Sequence, residues 1–126
     1  MSVAVLERNI VHPVTKKTLG LFVEKVRAHE GENLSKIILF GSVARGEANE
    51  DSDIDVLVIL RERTLQKRKD ISGISADVKF EMNFDINAYL QALCISKEES
   101  QGLNFHELML NVQKEGIILH DEQHRA

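Results

Sequence analysis

Seven consecutive residues, IDVLVIL from Ile54 to Leu60, constrain this chain more than any other stretch. A short unbroken run of β-branched and aliphatic residues reads as a strand buried on both faces, and such a strand needs a sheet whose two sides are covered. Helices must supply that cover. The run is entered through Asp53 and Asp55, alternate positions that project from one face of a strand. Two like charges so placed repel each other. They are tolerable where a hard divalent cation bridges them, because carboxylate oxygens are its preferred ligands.

The rest of the chain supplies the cover. After the only proline, Pro13, the segment TKKTLGLFVEKVRAHEGEN carries Leu19, Phe22, Val23 and Val26 at helical spacing, with Gly31 suited to the helix exit. KIILF, Lys36 to Phe40, reads as a second buried strand, and the turn formers of GSVARGEANEDS follow it, with Ser42 as a candidate N-cap. RERTLQKRKDISGISADVKF predicts a helix with Leu65, Ile71, Ile74 and Val78 as its apolar stripe, and NFDINAYL predicts a third strand. FHELMLNVQKEG predicts a last helix, with Phe105, Leu108, Met109 and Val112 on one face and Gly116 as its cap. IILH adds a short edge strand, and the tail DEQHRA is expected to fray. Strands alternating with helices give an α/β (α+β) domain, a small sheet flanked by helices, and 126 residues suit one domain over 1–126.

Composition narrows the function classes. A net charge of −4 and a pI near 5.7 argue against general affinity for a nucleic-acid backbone. Nothing approaches the roughly 20 apolar residues of a membrane span. A lone cysteine, Cys94, and an amino terminus too short in apolar residues for a signal peptide make the cytoplasm the expected location. Cys94 lacks a basic neighbour and reads as a core residue, and the sole tyrosine, Tyr89, as packing at a strand end.

Gly41 and Ser42, directly after the KIILF strand, set a small turn beside the aspartates. Its backbone N–H groups and the Ser42 hydroxyl are suited to phosphate oxygens, which together with a metal suggests a nucleoside triphosphate site. Two competitors fall away, while a third, a polar strand entrance with solvated aspartates, stays open. Gly41 and Gly46 match half of a P-loop, but Glu47 stands where the phosphate-reaching lysine belongs. Asp51, Asp53, Asp55 and Glu62 match EF-hand spacing, yet Val56 replaces the turn glycine inside a strand sequence. His106-Glu107 begins an HExxH motif that Leu110 ends. Arg45 is placed either to clamp a triphosphate or to pair with Glu47 or Glu50. The basic run Arg61, Arg63, Lys67, Arg68 and Lys69 reads as a solvated helix face, or as a site for phosphate or an acidic partner.

Gly41, Ser42, Asp53 and Asp55, with ten residues between Ser42 and Asp53, form a GSx10DxD pattern within GSVARGEANEDSDIDVLV. That pattern resembles the signature of the polymerase-β-like nucleotidyltransferase superfamily, and the short length and the ending QKEGIIL resemble its minimal nucleotidyltransferase branch. The resemblance implies a mixed sheet flanked by helices, Mg2+ and ATP at the Asp53–Asp55 site, and a third carboxylate on the neighbouring strand. Asp85, within NFDINAYL, is the candidate for that third place, with Glu81 as the alternative. It further implies an antitoxin of the MntA type that transfers AMP from ATP to a tyrosine of a HEPN-family toxin, as a possible homo- or hetero-oligomer. The arginine–histidine motif of the toxins themselves is not found in the sequence. Two alternatives stay open: an antitoxin that neutralises its partner by binding alone, and a nucleotidyltransferase acting on an aminoglycoside-like small molecule.

Overall fold

The run Ile54–Leu60 is an interior strand. In the computed structural model, which describes residues 13–47, 53–82 and 90–124, four strands are present, β1 (Leu34–Phe40), β2 (Ile54–Leu60), β3 (Leu90–Ser96) and β4 (Ile117–Asp121). Their order is β3-β2-β1-β4. β1 is antiparallel to both β2 and β4, while β3 lies parallel to β2, so the sheet is mixed. Five helices complete the described residues: α1 (Pro13–Glu30), α2 (Gly41–Arg45), α3 (Leu65–Glu81), α4 (Lys97–Ser100) and α5 (His106–Glu115). The expected mixed α/β architecture is therefore present. Among the described residues, no helix is long and apolar enough to cross a membrane.

Both faces of β2 are covered. Leu19, Phe22 and Val26 of α1 and Ile71, Ile74 and Val78 of α3 pack with Ile37, Leu39, Val56 and Val58 on one side. On the other, Val112, Phe105, Leu108 and Met109 of the α5 region pack with Ile38, Leu57, Ile59 and Ile95. Each full burial of such a side chain contributes about 1.5–3 kcal/mol, so packing rather than helix propensity holds these helices.

Several expectations need correction. Leu65 is 64% exposed, because it stands six residues before Ile71 and so lies about 120° around the helix from the buried stripe. The strand beside β2 is LQALCIS, later than the expected NFDINAYL, of which residues 83–89 lie outside the described residues. Ser42 is the second residue of α2, whose N-cap is Phe40. The tail begins ordered: Asp121 is buried in β4, and Glu122 meets Arg61 and Lys97, each at 3.5 Å. Gly116 does cap α5, its N–H donating to the Val112 carbonyl at 2.8 Å.

β3 ends in a capping box. The Ser96 hydroxyl accepts from the Glu99 N–H at 3.0 Å, and the Glu99 carboxylate accepts from the Ser96 N–H at 2.9 Å and from Arg63 Nε at 2.7 Å. The Arg63 hydrogen bonds, with help from Ser96, hold the Glu99 carboxyl down at about 2. A depressed carboxylate contributes stability above the ordinary glutamate range and loses it as pH falls through the folded value. Ser96→Ala should therefore cost about 1 kcal/mol in urea unfolding at neutral pH. Glu99→Gln should be destabilising at neutral pH, its difference from the parent narrowing as pH falls from about 4.5 towards about 2.

Candidate active site

Antiparallel pairing decides where the site falls. β1 and β2 place Leu34 opposite Leu60 at one end of the sheet and Phe40 opposite Asp55 at the other, so the exit of β1 lies against the entrance of β2. At that exit Gly41 takes a left-handed backbone, φ 77°. A Cβ on Gly41 would stand 2.5 Å from Asp55 Oδ2. The first demands glycine by conformation, and the second would require the Asp55 carboxylate to turn aside. Glu47 and Gly46 then close α2, donating to the Ser42 carbonyl at 3.0 Å and the Val43 carbonyl at 3.2 Å. The half-buried Ser42 follows Gly41 in this turn.

Strand alternation puts Asp53 and Asp55 on the face of the sheet that Leu57 and Ile59 share with α5, beyond the end of the apolar layer. Asp53 is exposed and Asp55 half-buried. Burial, with the neighbouring Asp53 charge adding to it, pushes the Asp55 carboxyl above its ordinary range, while Arg45 acts in the opposite direction. Arg45 itself pairs with Glu47 at 3.2 Å and with Glu115 of α5 at 3.1 Å. The ion-pair reading of Arg45 is thus realised, with Glu115 as a partner that its sequence neighbours did not suggest.

On β3, Gln91 is level with Asp55, and its Nε2 donates to Asp53 Oδ2 at 3.0 Å. Sequence reasoning missed this residue by placing the strand too early. The serine-x-x-glutamate pattern at Ser96 and Glu99, an N-terminal helix signature, marks where that strand ends. Asp85 lies outside the described residues. Glu81 ends α3 and pairs with Lys25 of α1 at 3.3 Å, on a helix rather than on the strand beside β2.

Other candidates fall into structural roles. Of the basic run, three members serve separate ion pairs: Arg61 meets Glu122, Arg63 meets Glu99 and Lys67 meets Glu30. Cys94 is buried, and that burial pushes its thiol up to about 11, a poor nucleophile. Among the described residues, no three His, Cys, Asp or Glu side chains gather as a metal site.

The pair of carboxylates against a glycine-serine turn nevertheless fits a hard cation with phosphate: the carboxylates supply oxygen ligands, and the missing Cβ of Gly41 leaves the turn backbone close to Asp55. The model of the nucleotidyltransferase domain matches residues 19–114, a span that contains both aspartates and the turn. The chain belongs to the nucleotidyltransferase domain family. Two proteins of Methanocaldococcus jannaschii, each carrying the name "Putative protein adenylyltransferase", are similar to it. One is 39% identical over 56 residues, 44% of this chain and 54% of its own length. The other is 38% identical over 75 residues, 57% of this chain and 51% of its own length. The nucleotidyltransferase chain thus spans about half the length of these relatives. Its fold is also similar to a chain in a toxin–antitoxin crystal structure with AMP-PNP, at TM-score 0.54 and 18% identity, covering 81% of this chain and 73% of that one. A MntA–HpeT toxin–antitoxin mutant gives TM-score 0.52 at 17% identity, covering 80% and 72%.

Two substitutions test the geometry. Gly41→Ala should cost about 1–3 kcal/mol through backbone strain alone and should also displace Asp55. Asp55→Asn should raise the melting temperature of the metal-free protein at neutral pH. Since the folded carboxyl is raised, parent stability falls as pH climbs from the ordinary aspartate range through the folded value, and the variant escapes that fall. Its advantage should vanish below the ordinary aspartate range, and melting curves at pH 3 and pH 7 check it.

Proposed function

We propose that this nucleotidyltransferase is a protein adenylyltransferase, the antitoxin of a pair with a HEPN-family toxin, which moves AMP from ATP to a tyrosine hydroxyl of that partner. The observation that carries the reading is the placement of Asp53 and Asp55 side by side on one strand face, against the Gly41–Ser42 turn. Family membership, the names of the curated relatives and the toxin–antitoxin titles among similar folds support it. An ATP-consuming antitoxin of this kind would work in the cytoplasm.

Asp53 and Asp55 would hold Mg2+, with Asp85 as the third carboxylate carried over from the sequence reading. When bound, the ion would neutralise charge on the triphosphate. Ser42 and the turn backbone would orient the β- and γ-phosphates, leaving the α-phosphate open to the acceptor. The tyrosine oxygen forms a bond to the α-phosphorus, the bond to the bridging oxygen breaks, and pyrophosphate leaves with that electron pair. A nearby carboxylate takes the phenolic proton. Arg45 would reach the phosphates only by leaving Glu47 and Glu115, so its role as a clamp involves an exchange of partners. The partner would cover the outer side of α5, where Leu110 is exposed near the exposed Leu103.

One observation favours the binding-only alternative: the residue level with Asp55 on β3 is an amide, Gln91, rather than a carboxylate. The two readings separate by experiment. Incubating the protein with a co-purified helical partner, Mg2+ and ATP should add adenylyl increments to the partner by intact mass. Asp53→Asn and Asp55→Asn should abolish the increments, and Asp85→Asn should reduce them. Neutralisation of the partner in cells by the first two variants, with no mass change, would establish binding alone.

A further inference from the structure

Gln91 is the one polar side chain that a second strand brings to the aspartate pair among the described residues, and its position is fixed twice over. Parallel pairing sets it level with Asp55, and its amide nitrogen donates to Asp53 Oδ2 at 3.0 Å. The alternation that places Leu93 and Ile95 against α5 puts Gln91 on that same face. An amide can donate to a carboxylate, which a carboxylate side chain at this position could do only by keeping a proton. Gln91 thus compensates part of the negative charge on Asp53 without adding any of its own. A carboxylate there would add a third negative charge to the pair, strengthening the pull on a cation and the repulsion without one.

We propose that Gln91 is a positioning residue that orients Asp53 and keeps the affinity for a free divalent ion low, so that the ion enters together with the nucleotide. This rests on the reading of Asp53 and Asp55 as the metal-holding pair. With an amide at this place the site carries one carboxylate fewer than it would with glutamate and holds the ion alone less tightly; phosphate oxygens supply the missing negative charge. The amide need not leave, since the outer carboxylate oxygen it occupies is one of several lone-pair sites on Asp53. Metal uptake and nucleotide uptake are then coupled, each tightening the other by the same factor.

The probe is Mn2+, measured by titration calorimetry alone and with a non-cleavable ATP analogue. The parent should bind Mn2+ weakly alone and markedly tighter with the analogue. Gln91→Glu, equal in size, should tighten Mn2+ alone by about tenfold, the effect of one added carboxylate near the ion, and should shrink the gain from the analogue. Its metal-free melting temperature should fall. Gln91→Ala removes the donor without adding charge and should leave Mn2+ affinity without that tenfold gain. If Gln91→Glu does not fold, Gln91→Asp takes its place. Equal Mn2+ affinity in the parent and the carboxylate variant, or equal weakening in both the alanine and the carboxylate variants, overturns the role of Gln91 and leaves the aspartate pair standing. No Mn2+ binding in the parent even with the analogue, matched by Asp53→Asn, overturns the metal-holding pair and this inference with it.

Discussion

The contact on which the site depends is one that a single carbon would destroy. The exit of β1 touches the entrance of β2 because the strands are antiparallel, and it touches it closely because Gly41 has no side chain to place against Asp55 Oδ2. Give that residue a side chain and the Asp55 carboxylate must swing aside from the turn. Backbone pairing inside the sheet is thus converted into proximity between the Gly41 turn and the Asp55 carboxylate.

Charge is handled in opposite ways at the two ends of the β1–β2 pair. Where Leu34 faces Leu60, the buried Glu30 is surrounded: burial alone would push its carboxyl up, but Asn33 at 2.9 Å, His29 at 2.8 Å and Lys67 at 3.2 Å together hold it below the ordinary range. Asn33 also accepts from the Glu62 N–H and donates to the Glu62 carbonyl, each at 3.0 Å, joining the start of β1 to the end of β2. Both Glu30 carboxylate oxygens thus have a hydrogen-bonding partner, as a buried charge requires. At the other end Asp55 is raised because its surroundings do not repay burial and repulsion. One end fastens the strands, while the other holds an unfavourable pair open to a ligand.

Much of this was legible in the sequence because it rested on period and spacing. IDVLVIL could only be a covered strand, and the stripes of α1 and α5 repeat at helical intervals over enough residues to be read. Gly41, Ser42, Asp53 and Asp55 announce themselves by their spacing, and strand pairing brings Gly41 against Asp55. The third strand escaped because LQALCIS mixes polar and small residues among its apolar ones, a weak strand signal beside a stretch such as NFDINAYL. With the strand went Gln91. Glu115 escaped for a different reason: it stands 70 residues from Arg45, and long-range ion pairs leave no trace in local pattern. Leu65 misled because it is apolar and near a helical stripe without being on it.

An unfavourable carboxylate pair can persist in a stable fold if the fold is held elsewhere and a ligand repays the cost when it binds. Whatever binds the folded form alone stabilises it in proportion to its occupancy, so under the proposed function repulsion between Asp53 and Asp55 would become part of the driving force for taking up a cation with nucleotide. The Arg45 pairs extend the same logic. Glu47 and Glu115 hold the guanidinium at the mouth of the turn, both as exposed contacts of modest worth. Phosphate oxygens carry more negative charge than either carboxylate and can take both donors of the planar guanidinium at once. On the proposed reading, a nucleotide arriving at the turn would compete with weak partners at Arg45, and the cation arriving with it would relieve the repelling pair at Asp53 and Asp55, both changes favouring the loaded state.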